Sequence, residues 1–138
     1  VSITRTWLQT LMWLLIATVM SSIFHYVDNV MYFHEYPEPD WLDSNEVDRF
    51  WFYMTPLAYL GYHQLKRHRY HSGVLFTVLY ALCNLLTLGH YWFAPIHEIS
   101  LKINTFILIE AFFGFILLMY VLVPYCQLFK NRTLKDKT

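Results

Sequence analysis

From Ile103 to Phe129 the only Asp, Glu, Lys or Arg is Glu110; from Tyr70 to His97 there is none; from Trp7 to Tyr32 the only one is Asp28. Stretches this long and this apolar leave few folds open. The hydrocarbon core of a bilayer is about 30 Å thick and takes about 20 apolar residues per helical crossing, whereas a surface helix of a soluble protein carries a charged face to meet water. Of the 138 residues, 57% are hydrophobic and 14% are charged, against about 25% charged in an average soluble domain. The chain therefore reads as all-α, a single transmembrane domain over residues 1–138 built as a four-helix bundle.

The first helix covers about residues 7–32. It has no A-x-A-like cleavage site and outruns the apolar core of a signal peptide, so it reads as a crossing. The second covers about 44–65 and opens with Asp43-Ser44-Asn45-Glu46, the spacing of a capping box, with Pro56 inside it predicting a kink. The third covers about 73–93 and stops before Pro95; the fourth covers about 101–123 and stops at Pro124. Between the first two lies a loop of about 33–43, stiffened by Pro37 and Pro39.

Charge orients the bundle. Arg5, Lys66, Arg67, Arg69, Lys130, Arg132, Lys135 and Lys137, eight of the ten basic residues, fall at one end. Glu35, Glu38, Asp40, Asp43, Glu46, Asp48 and Glu98 fall at the other. The positive-inside rule makes the basic end cytoplasmic, giving an N-in, C-in arrangement. The sequon Asn131-Arg132-Thr133 then faces the cytoplasm. Cys83 and Cys126 fall at different depths, which argues against a disulfide between them.

An ionisable group in a bilayer costs about 2.5–3.5 kcal/mol on insertion scales and turns to the bundle interior, so such groups locate a site. Thr18, Ser21, Ser22, His25, Asp28 and Asn29 recur at helical intervals on the first helix and share a face. Tyr80, Asn84, Thr87 and His90 or Tyr91 form a second stripe; Tyr53 and Glu110 come from the remaining helices. At about 1.5 Å of rise per residue, His25 and His90 lie roughly 10 Å to the outer side of their midpoints and Glu110 about 4–5 Å. One layer of the outer half thus gathers His25, Asp28, His90, Glu110 and Tyr53. The serines, Thr18 and Asn84 read as helix-packing hydrogen bonds.

Three chemistries fit this set. His25, His90 and Asp28, or Glu110 in its place, supply the three ligands of a catalytic zinc or iron site, although no HExxH motif accompanies them. Glu110 and a neighbouring imidazole, with Asp28 and Tyr53 beside them, suit metal-free acid–base catalysis. His25 and His90 also suit the axial positions of a haem. The dipeptides His34-Glu35 and His97-Glu98, and the acidic loop as a whole, read as solvated; the loop lacks the glycine of a calcium-binding loop. His63, His68 and His71, interleaved with Lys66, Arg67 and Arg69, read as a segment facing anionic lipid head groups.

The leading expectation is a small membrane enzyme, metal-dependent or acid–base, acting on a lipophilic substrate. Its catalytic residues are Glu110, Asp28 and Tyr53, and its metal ligands are His25, His90 and Asp28. An ion or proton pathway, a haem protein, or a non-catalytic subunit fitted to a partner's helices or to a second copy stays open on the same residues. Membrane lipids surround the chain, and nothing in it implies nucleic acid.

Overall fold

The computed structural model describes residues 4–135, with side chains for 4–127. The basic residues Lys130, Arg132, Lys135 and Lys137 and the sequon at Asn131 lie outside the described side chains. Helix α1 runs Arg5–Met31, α2 Ser44–Lys66, α3 Tyr70–Leu85 and α4 Leu101–Lys135. A short 3₁₀ turn, Phe33–Glu35, follows α1, and α3 continues as a 3₁₀ segment, Leu86–Trp92. No strand occurs among the described residues.

The helix starts follow local chemistry. Thr4 caps α1 by accepting from the Trp7 amide at 3.1 Å. The expected capping box is present at α2: Asp43 accepts from the Glu46 amide at 2.9 Å, and Glu46 reaches back to the Asp43 amide at 3.3 Å. At the other end of α2, the His68 amide bonds to the Leu65 carbonyl and the Arg69 amide to the Gln64 carbonyl. That is a Schellman closure, with His68 at φ 59° in the left-handed position usually held by glycine.

Two boundaries differ from the sequence reading by more than a helical turn. Helix α4 does not stop at Pro124 but continues to Lys135. A proline inside a helix removes one donor, and no glycine follows Pro124 to end the helix, while Gln127, Leu128 and Lys130 favour it. The third helix is α-helical only to Leu85, where it tightens into the 3₁₀ segment that carries Thr87 and His90. Such tightening at the end of an α-helix is common.

The four helices pack in a ring, α1 on α2, α2 on α3, α3 on α4 and α4 back on α1. Small residues set the closest approaches. A Cβ at Gly61 would collide with Thr77, and one at Gly73 would lie 2.8 Å from the Leu65 amide. Two apolar clusters fill the centre. The larger includes Leu11, Leu15, Met54, Leu65, Tyr80, Leu117 and Val121; the smaller comprises Tyr36, Ile99, Ile103 and Ile107. Ser22, His25, Asn84, Thr87 and Glu110 are buried as well. Trp13, Phe24, Leu75, Leu82, Phe112 and Phe115 are exposed on the outward faces, as in a protein whose solvent is lipid.

Among the described residues three segments are long and apolar enough to cross a membrane: Arg5–Met31, Tyr70–Trp92 and Leu101–Gln127. Helix α2 is not among them, because Glu46, Asp48, Arg49, His63 and Lys66 dilute its apolar residues.

Candidate functional site

The polar layer forms where α1, the 3₁₀ segment and α4 converge beneath the loop after α1. His25, 2% exposed, and Glu110, fully buried, meet through a hydrogen bond between Nδ1 of the imidazole and Oε2 of the carboxyl group. Thr87 Oγ1 lies 3.2 Å from the same nitrogen. The second atom of each partner, His25 Nε2 and Glu110 Oε1, is buried with no hydrogen-bond partner among the described residues. Two buried groups that satisfy each other on one side and stay unsatisfied on the other are costly for packing alone.

His90 lies against this pair. Its ring contacts His25 edge to face, with centroids 5.4 Å apart. His90 Nδ1 is 3.2 Å from the Pro37 carbonyl oxygen, to which its N–H donates, and 3.6 Å from Glu38 Oε1. Glu38 in turn accepts from Asn29 Nδ2 at 2.7 Å. Tyr36 closes the group from the loop, its ring centroid 5.6 Å from that of His25 and 5.5 Å from that of His90.

The loop that brings in Tyr36 and Glu38 is pinned to the bundle. Tyr36 donates its hydroxyl to Asp28 Oδ2 at 2.9 Å, and Lys102 donates to Asp28 Oδ1 at 2.9 Å. The Lys102 ammonium also sits 3.8 Å from the centroid of Tyr32. Burial pushes the Tyr36 hydroxyl well above its ordinary range, helped by its bond to Asp28. Burial likewise raises the Glu38 carboxyl, and the Asn29 hydrogen bond and the neighbouring His25 oppose that rise.

Beside these groups lies a cavity of about 630 Å³. His25, Asn29, Glu38, Thr87 and His90 form its polar part. Trp41, Leu42, Val47, Phe50, Leu86 and Phe93 contribute apolar wall, and Tyr53, Arg49 and Trp92 stand on its exposed side. A volume of this size suits a small molecule with a few polar groups at one end.

Of the residues singled out from sequence, the structure brings together His25, His90 and Glu110. Asp28 stands apart from the His25–Glu110 bond and serves Tyr36 and Lys102. Tyr53 lines the cavity, 77% exposed. Among the described residues no group of three or more His, Cys, Asp or Glu side chains is arranged to hold a metal ion, so the zinc or iron expected from His25, His90 and Asp28 has no support in the geometry. His97 and Glu98 are exposed at 77% and 64%, in keeping with solvated side chains.

Glu38 corrects the reading of the loop as simply solvated. Glu35, Asp40, Asp43 and Asp48 are exposed, but the Glu38 side chain is only 10% exposed. Tyr36 was missed as well. The available signal was the stiff Tyr36-Pro37-Glu38-Pro39 run, which fixes where its side chains point. Comparison of the chain with known protein families, with curated proteins and with solved structures gives no match.

Proposed function

We propose that this protein is a membrane-embedded acid–base catalyst that moves a proton on a lipophilic substrate held in the outer cavity. The observation that carries this reading is the buried His25–Glu110 pair beside an apolar-walled cavity that also holds Glu38 and His90. The proposal includes the four-crossing, N-in and C-in topology, which puts the cavity in the half of the bundle away from the cytoplasm.

The roles follow from the partners. Glu110 accepts from His25 Nδ1–H and so fixes the tautomer in which Nε2 is unprotonated and able to take a proton. Glu38, whose carboxyl burial holds in the neutral form to higher pH, is the complementary acid. His25 would remove a proton from one substrate carbon and Glu38 would return one to another, a relocation that needs no second reactant. His90 touches His25 and Glu38 alike, and passing the proton from His25 to Glu38 through it restores the starting state. Glu110 is a positioning residue in this scheme.

A conducting pathway would require polar groups that continue to the inner end. Inward of Tyr80 the centre is filled by Leu11, Leu65, Leu117 and Val121, none more than 1% exposed. That plug favours a blind site over a pore.

The test is isotopic. Membrane lipid extract incubated in deuterated water with purified protein should yield a compound carrying carbon-bound deuterium, detected by mass spectrometry. His25→Ala and Glu38→Gln should not produce it. Identical labelling by wild type and both variants, or no labelling by folded wild type, would sink the proposal.

A further inference from the structure

The cavity has two unlike parts. Among the described residues the lysine or arginine that lines the cavity is Arg49, on its exposed side. Lys102 is held by Asp28, and Arg49 is on the exposed outer turn of α2. The acids there are Glu38 and, behind His25, Glu110. A carboxylate head has no hydrogen to donate, so it cannot satisfy a buried carbonyl oxygen that lacks a partner. Acceptors are in excess. Asn29 is 3% exposed and lines the cavity, its Nδ2 donating to Glu38, while its Oδ1 has no hydrogen-bond partner among the described residues. A buried carbonyl in that condition is stabilised by a ligand that donates to it.

The apolar part lies between α2 and the 3₁₀ segment. Val47 and Phe50 line it from α2, and Leu86, Gly89 and Phe93 from the 3₁₀ segment and its end. Leu86 and Phe93 are 61% and 55% exposed, so this side opens towards lipid. Gly89 keeps the passage wide. The nearest atom that a Cβ there would meet is Trp92 Cε3, at 3.9 Å.

We infer that the cavity takes a single-headed amphiphile without negative charge, an alcohol or an amine, whose O–H or N–H donates to Asn29 Oδ1 and to Glu38. Its hydrocarbon leaves through the passage beside Gly89 into the bilayer. This inference rests on the proposed function for its choice of site, yet it concerns binding and stands or falls without turnover.

The experiment uses the whole protein in lipid nanodiscs and three probes of equal chain length: dodecanol, dodecylamine and dodecanoate. Trp41 and Trp92 line the cavity, so quenching of tryptophan fluorescence reports occupancy. Dodecanol and dodecylamine should bind saturably, and dodecanoate about tenfold more weakly or worse. Whichever of the first two binds tighter identifies the head group. Asn29→Leu, which removes the carbonyl, should weaken both by about tenfold, the size of one buried hydrogen bond. Gly89→Leu fills open space and so should fold, and it should weaken both by a similar factor. Glu110→Gln should bind as wild type while losing deuterium exchange, which separates failure of binding from failure of the acid–base reading. Dodecanoate binding as tightly as the alcohol would overturn the inference, and so would wild-type binding by Gly89→Leu.

Discussion

Replacing His25 and Glu110 by leucine, singly and together, tests whether these two residues form one unit. His25 is 2% exposed and Glu110 is fully buried, so neither can turn to water when its partner goes. In His25→Leu the carboxyl group loses the bond to Oε2 while Oε1 already lacks a partner, leaving a whole buried carboxyl unsatisfied. Breaking a buried pair this way costs about 3–5 kcal/mol in water-soluble proteins. In a membrane the unfolded reference also finds partners, which brings the figure for one residue down to about 1–2 kcal/mol. Glu110→Leu should cost a similar amount, because Nδ1 of His25 would keep only Thr87. The double variant removes both polar groups, and replacing a buried pair by apolar side chains of like volume is often close to neutral. The expected coupling is therefore about 1 kcal/mol or more, with the double variant no less stable than either single. Unfolding in detergent, followed by circular dichroism over a series of denaturant concentrations, measures all four corners of the cycle. Additive losses, with coupling below about 0.5 kcal/mol, would mean the two residues do not act together.

Three further outcomes follow from the geometry. Because burial raises Glu38 in the folded chain, the fold binds that proton more tightly than the unfolded chain does; stability is greatest below the unfolded value of about 4.3 and falls as pH rises through the folded one. Glu38→Gln should flatten that fall, and a decline as steep as in wild type would place its origin elsewhere. Gly61→Ala should destabilise by about 1–3 kcal/mol because its Cβ meets Thr77, including the Thr77 amide at 3.0 Å, whereas Gly89→Ala should change stability by less than about 1 kcal/mol; the same melting curves compare the two. Cysteines at Asp40 and Arg67, both exposed, should react with an impermeant maleimide from opposite sides of a vesicle, and labelling of both from one side would overturn the proposed topology.

What sequence made legible was whatever a single helix encodes. The capping box at Asp43 and Glu46 is a matter of three-residue spacing, and it is present in the structure. His25 was placed on the face of Thr18, Ser21 and Ser22 by periodicity, and all four are buried. Depth along the helix brought His25, His90 and Glu110 within reach of one layer before any contact was known. Beyond the helices the same reasoning weakened. Asp28 shares the polar stripe, but its partner Lys102 lies 74 residues away, and no periodicity relates the two. Glu38 looked like its acidic neighbours because composition cannot tell which side chain of a loop turns inward. Pro124 looked like a stop because proline removes a backbone donor, yet α4 continues past it to Lys135, where no glycine follows to end it.

The division of labour among the carboxyl groups explains why the site needs its loop. Glu110 is enclosed by the helices and bound to His25, so it can orient an imidazole but does not line the cavity. Asp28 is occupied by Tyr36 and Lys102 and so holds the loop down. Two carboxyl groups line the cavity, and of these Glu46 is exposed while Glu38 is the largely buried one beside His25 and His90, with no lysine or arginine partner among the described residues. A bundle of helices alone would thus carry a base and its support with no matching acid. The tyrosine that anchors the loop is also the ring against which His25 and His90 pack, and Pro37 between Tyr36 and Glu38 accepts from His90. Three consecutive loop residues therefore fasten the loop, position an imidazole and supply the carboxyl group. Loosening the anchor, as Asp28→Asn would by removing the charge that holds Lys102, should therefore disturb the geometry of Glu38 and His90 together while leaving the His25–Glu110 bond in place.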